Sequence, residues 1–98
     1  MAAGYKLRIP DKTADLIKNL HPVLKRRVKV ALKTILNDPF SGKALKDELK
    51  DLKSFKVRRF RVIYRISSKT IIELVAVGPR KNIYEETFKL ITKEQSQK

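Results

Sequence analysis

The stretch Phe55-Lys56-Val57-Arg58-Arg59-Phe60-Arg61-Val62-Ile63-Tyr64-Arg65-Ile66 runs through Ser67-Ser68-Lys69 into TIIELVAV at residues 70–77, and its reading decides the fold. β-branched and aromatic residues alternate with cations, the period-two pattern of strands with one covered face. It predicts strands at 55–58, 60–67 and 70–77, with Ser67-Ser68-Lys69 as a tight hairpin connection. In the middle strand Phe60, Val62, Tyr64 and Ile66 point one way, and Arg61, Ile63 and Arg65 the other. In the strand before it Phe55 and Val57 share a side, and Lys56 and Arg58 share the opposite one. The apolar sets must face a core, so Lys56, Arg58, Arg61 and Arg65 are expected to converge on the open face. No acidic residue lies between Asp51 and Glu73 to neutralise them. One or two such cations would merely keep a sheet soluble. Four repel one another unless an anion sits among them.

Upstream, residues 5–9 alternate in the same way and predict a short, half-exposed strand. Pro10-Asp11 stops it and opens a helix, with Asp11 as candidate cap and Ala14, Leu16, Ile17 and Leu20 as apolar side. His21-Pro22 interrupts, and Pro22 suits the first turn of a second helix reaching about Leu36. Leu24, Val28, Ala31, Leu32 and Ile35 form its buried stripe, while Lys25, Arg26, Lys29 and Lys33 take the outer side. Asp38-Pro39 ends it. Residues 37–52 read as irregular, anchored by Phe40, Leu45, Leu49 and Leu52. Downstream, Gly78-Pro79 turns the chain and Arg80 emerges at the sheet end. Residues 82–91 form a short third helix carrying Tyr84, with Phe88 and Ile91 inward, and 92–98 fray. The expected fold is α+β within one domain, 1–98. An antiparallel-rich sheet of about four strands carries two N-terminal helices on one face, plus a short C-terminal helix. The opposite face is left for solvent or a ligand.

Composition narrows the function classes. Twenty-four Lys and Arg against ten Asp and Glu give a formal net charge of +14 over 98 residues. The absence of Cys excludes a disulfide scaffold and a Cys-based zinc site. No apolar run approaches a membrane span, and the N-terminus lacks a signal-peptide stretch. A soluble cytoplasmic protein that seeks a polyanion is expected, with no membrane association.

The 55–66 run, together with Ile72-Glu73-Leu74-Val75-Ala76-Val77-Gly78-Pro79-Arg80-Lys81-Asn82-Ile83-Tyr84, resembles the central strands of the RelE/ParE toxin superfamily. The likeness extends from Tyr5 to Ile91. It implies a RelE-like, microbial-ribonuclease-type fold and a toxin of a type II toxin–antitoxin pair, partnered by a cognate acidic antitoxin. The RelE branch cuts messenger RNA in the ribosomal A site. Carried over residue by residue, its basic strand pair falls on Lys56 and Arg58, its next Arg on Arg61, its fourth-strand Arg on Arg80, and its C-terminal Tyr on Tyr84. The chain departs from the pattern at Arg59, where Gly is common, at Pro79, where Lys or His is frequent, and in a shorter loop between the Arg-rich strands. The ParE branch, whose target is DNA gyrase, shares much of this strand pattern. A gyrase inhibitor without nuclease activity and a catalytically silent nucleic-acid-binding protein on the same scaffold are therefore the alternatives.

Cleaving RNA without a metal requires that the 2′-hydroxyl lose a proton, that charge on phosphorus be stabilised, and that the leaving 5′-oxygen be protonated. The only His, His21, lies in the helix–helix turn, and the motif region offers no carboxylate pair. Cations remain. Like charge disfavours an ammonium, so Lys56 among arginines is the candidate general base. Arg58 and Arg61 would hold the phosphate through their guanidinium forks, and Arg80 would stabilise the leaving side. Tyr84 would stack on a base or orient the 2′-hydroxyl. Lys25, Arg26, Arg27, Lys29 and Lys33, with Arg59 and Arg65, would contact ribosomal RNA. No cofactor or metal is implied.

Overall fold

In the computed structural model, which describes residues 4–96, the strands are β1 (Lys6–Arg8), β2 (Lys43–Ala44), β3 (Lys53–Val57), β4 (Phe60–Ile66) and β5 (Ile71–Pro79). The helices are α1 (Asp11–Lys18), α2 (Pro22–Asn37) and α3 (Arg80–Ser96), with a single 3₁₀ turn at Asp47–Leu49. One sheet holds all five strands in the order β1-β5-β4-β3-β2. Only β1 runs parallel to its neighbour β5; every other pairing is antiparallel. The α+β class and the two N-terminal helices on one face are as expected. The fifth strand is the two-residue β2, within a segment expected to be irregular.

Helix starts follow local chemistry. Pro10, not Asp11, occupies the N-cap of α1, and no side chain bonds to the free N–H groups. Asp11 becomes the first helical residue, where its charge still suits the positive end of the dipole. At α2 the imidazole Nδ1 of His21 accepts from Val23 N at 3.2 Å, and Pro22 fills the first turn. The lone His is thus a helix cap.

Alternation sorts side chains as read. Val57, Val62, Tyr64, Ile72, Leu74 and Val77 join Ile17, Val28, Ala31, Leu32 and Ile35 in a core beneath α1 and α2. The opposite face differs from expectation. Leu52, Ile63 and Ala76 are buried there under Ile83, with Leu45, Leu49, Val75, Tyr84 and Ile91 packed around them. A register irregularity at Ile63/Tyr64 sets Val75 and Ala76, neighbours in β5, into the same cluster. This second core exists because α3 lies over that face and packs Ile83, Tyr84 and Ile91 onto it. The helix starts at Arg80, whose N–H is satisfied by Arg59 O at 2.7 Å. It continues past Ile91 to Ser96, where fraying was expected, because Thr92-Lys93-Glu94-Gln95 tolerates helix and Glu94 reaches Arg65 on β4. Residues 97–98 lie outside the described chain. Gly78 permits the docking: a Cβ there would meet Ile83 Cδ1 at 3.0 Å.

Segment 37–42 is also ordered by β4. Tyr64 is fully buried, donates its hydroxyl to Pro39 O at 2.8 Å and accepts from Gly42 N at 3.0 Å. Phe40, expected as an anchor, is instead 68% exposed, 5.2 Å from the Lys53 ammonium. Its backbone N–H is taken by Asp38 Oδ1, which turns the side chain outward. Leu52 is the buried anchor of this region.

Candidate nucleic-acid interface and active site

The β3–β4 hairpin builds the site. Lys56 pairs with Arg61 across the two strands, and Val57 with Phe60, leaving only Arg58 and Arg59 to make the turn. The expected strand 55–58 therefore stops at Val57. Such a tight turn needs a positive φ, and Arg58 supplies it at 56°. Arg58 does not lie along the strand beside Lys56; it projects from the hairpin tip. The guanidinium Nη1 of Arg61 returns to the turn, donating to Arg58 O and Phe60 O, each at 2.9 Å. Arg61 thus clamps the loop and still presents further N–H groups outward.

The N-terminus of α3 arrives at the same place, tied by the Arg80 N–H to the Arg59 carbonyl. Lys56, Arg58, Arg59, Arg61, Pro79, Arg80, Lys81 and Tyr84 line an open concavity of about 880 Å³. All five residues expected to carry chemistry meet there, with Arg59 beside them. Among the described residues no carboxylate lines the wall to offset the cations. The electrostatic consequence is a strong local attraction for phosphate.

Arg65 does not join them. It sits four residues along β4, roughly 13 Å away at strand rise, and is bound to Glu73 at 2.6 Å and Glu94 at 3.4 Å. Burial alone would lower the Arg65 pKa, but the Glu73 hydrogen bond and charge, with Glu94, raise it overall. The open face is thus basic only at its hairpin end; α3 covers the rest.

Lys29 and Lys33 are exposed on α2, and Lys25 is half-buried. Arg26 and Arg27 turn toward the sheet and rim a second depression of about 430 Å³, floored by Val30, Ala31 and Phe55. Lys56 and Arg58 border both depressions. Two residues escaped the sequence reading. Lys81 follows Arg80 directly and carried a charge signal that went unused. Ser54 lies two positions before Lys56 on the same strand face and holds the Tyr84 hydroxyl at 3.0 Å; only a register placing Tyr84 above β3 could have found it.

Comparisons with known proteins agree with this architecture. The family described as "ParE-like toxin of type II bacterial toxin-antitoxin system" matches residues 8–88. No curated protein sequence matches the chain. Among solved structures, a mutant of the E. coli toxin RelE in the free state superposes with TM-score 0.72 at 22% identity, covering 90% of this chain and 98% of that one. The RelBE2 toxin–antitoxin complex of Mycobacterium tuberculosis gives 0.68 at 25% identity over 80% and 100%. The archaeal RelE–RelB complex of Pyrococcus horikoshii gives 0.62 at 18% identity over 79% and 96%. The likeness to E. coli and P. horikoshii RelE lies in the fold, and the family match adds the lineage. This chain belongs to the ParE-like toxins of type II bacterial toxin–antitoxin systems.

Proposed function

We propose that this toxin is a ribosome-dependent messenger RNA endonuclease of RelE type that blocks translation. The observation that carries the reading is the concavity in which Lys56, Arg58, Arg61, Arg80 and Tyr84 meet with no carboxylate among them. In this mechanism Lys56, in its neutral form, takes the proton of the 2′-hydroxyl as that oxygen attacks the adjacent phosphorus. Arg58 and Arg61 hold the phosphate oxygens, whose added charge in the transition state they stabilise. The bond from phosphorus to the 5′-oxygen breaks, leaving a 2′,3′-cyclic phosphate on one fragment. Arg80 neutralises the departing 5′-oxygen, which takes its proton from water. Tyr84 stacks on a neighbouring base or orients the 2′-hydroxyl. A site this open aligns free RNA poorly, and the ribosome supplies the alignment. Outside the site, the α2 cations contact ribosomal RNA, and an acidic antitoxin neutralises the basic face.

A gyrase-directed activity is the second reading, favoured by the ParE-like family description. The two separate when messenger RNA 5′ ends are mapped on ribosomes after expression. Cuts within codons that disappear in Arg61→Ala and Arg80→Ala support the nuclease. Intact messages with supercoiling defects and DNA damage support gyrase.

A further inference from the structure

Tyr84 sits at the inner wall of the concavity, on the first turns of α3, and is half-buried. Its ring packs against the second core, which leaves the hydroxyl end to be placed. Here its hydroxyl meets the Ser54 Oγ at 3.0 Å, and either oxygen can be the donor. Ser54 is 7% exposed and is one of the few buried polar residues. Its backbone is paired on both sides, with Lys43 of β2 and Ile63 of β4. Lys56, two residues on along the same face, has no such second neighbour. Ser54 is thus held in the doubly paired part of β3, and from it a single hydrogen bond reaches the tyrosine. Burying a serine hydroxyl is unfavourable unless it is bonded, and Tyr84 is its side-chain partner. The same contact ties the helix bearing Arg80 and Tyr84 to the strand bearing Lys56.

We propose that Ser54 is a positioning residue of this site, fixing the Tyr84 ring relative to Lys56 and Arg61. The proposal rests on the nuclease reading for its catalytic consequence, but the positioning itself is measurable without catalysis. When Ser54 gives its proton to Tyr84, the phenolic proton is left free for another acceptor. When Tyr84 donates, the ring is held but its proton is occupied. Either way the hydroxyl end of the ring is tied to β3.

The test uses the full chain carrying ¹³C-labelled tyrosine, as wild type, Ser54→Ala and Ser54→Thr. Ser54→Ala should shift the Tyr84 ring resonances, Cε and Cζ most, because the hydroxyl loses its partner. Tyr5 and Tyr64 should stay unmoved, and Ser54→Thr, which keeps the hydroxyl, should resemble wild type. Unchanged Tyr84 signals in Ser54→Ala would overturn the proposal. Single-turnover cleavage of ribosome-bound message is the second arm. Ser54→Ala should slow the saturated rate roughly tenfold with half-saturation unchanged, and cost nothing further in a Tyr84→Phe background. A full additional loss in that background overturns the positioning role. So does equal loss in the Ala and Thr variants in step with their melting temperatures, which marks plain packing. If wild type does not cleave, the nuclease reading fails, and the ring measurement alone decides the positioning.

Discussion

Arg58 carries two demands that oppose each other. Its φ of 56° places an L-residue in the left-handed region, at a cost of about 1–2 kcal/mol. Its charge is wanted at the hairpin tip, where it borders both depressions. Gly removes the strain but adds roughly 0.5–1 kcal/mol of unfolded-state entropy; Asn tolerates the conformation without that penalty. Arg58→Gly and Arg58→Asn should therefore keep or raise stability, by up to about 1 kcal/mol, while Arg58→Val lowers it by at least that much. All three should weaken RNA binding. Urea unfolding of the four proteins checks the order, and equal midpoints for Gly and Val would show that the turn is unstrained. The alternation of residues 55–66 made Lys56 and Arg61 legible as face-sharing partners, which their direct pairing bears out. It could not show that Arg58 leaves the strand. Turn geometry at a two-residue loop normally announces itself through Gly or Asn, and here both positions are Arg. Nor could it show Arg61 bonded to backbone carbonyls, since that contact depends on how the turn folds back.

Among the elements, those with one periodic face were legible, and those stabilised by distant partners were not. Helix α2 and strand β4 fall where their periodicity put them, while β5 runs on through Gly78-Pro79, expected as a turn, because these pair with Arg61 and Phe60 of β4. Helix α3 was read too short and the face beneath it as open. Its docking depends on Gly78, which lets Ile83 approach, and on Glu94 reaching Arg65; neither is a local signal. The 37–42 segment is similar: it is held by one buried phenol donated from β4. Burial, the largest effect on Tyr64, raises its pKa, and Asp38 adds to this against the lowering hydrogen bonds of Gly42 and Ser41. The folded state therefore prefers the protonated phenol. That contribution is fully present below the unfolded pKa of about 10 and is lost as pH rises through the higher folded value. Tyr64→Phe leaves the Pro39 carbonyl and the Gly42 N–H unpaired and should cost about 1–3 kcal/mol near neutrality. Its stability should then fall less steeply than wild type above about pH 10. Denaturation series at several pH values measure both. Parallel alkaline slopes for the two proteins would remove Tyr64 from the account.

At the scale of the molecule, +14 on 98 residues is an association device that works against the fold. Two groups of these cations stand out. One group, Lys56, Arg58, Arg59, Arg61, Arg80 and Lys81, closes on the concavity. The other, Lys25, Arg26, Lys29 and Lys33, rides α2, a helix whose opposite side is core. Such a helix can change its outer charge without disturbing Val28, Ala31, Leu32 or Ile35, so its electrostatic role is separable from folding. On the proposed function, phosphate contacts made by α2 would carry no sequence information, and each would release bound counterions. Ribosome affinity should therefore fall steeply with salt, by roughly 0.7–0.9 in the log–log slope for each phosphate neutralised. Reversing Lys25, Lys29 and Lys33 to Glu should weaken association at low salt and flatten that slope by about 2–3. The concavity is untouched by these changes, so RNA cleavage at saturating ribosome concentration should persist. Co-sedimentation with ribosomes across a potassium chloride series gives the slope. A variant with the wild-type slope and affinity would mean that α2 faces solvent in the complex and that the hairpin end alone makes the contact. Loss of saturated cleavage with unchanged affinity would mean that α2 orients the toxin rather than holds it.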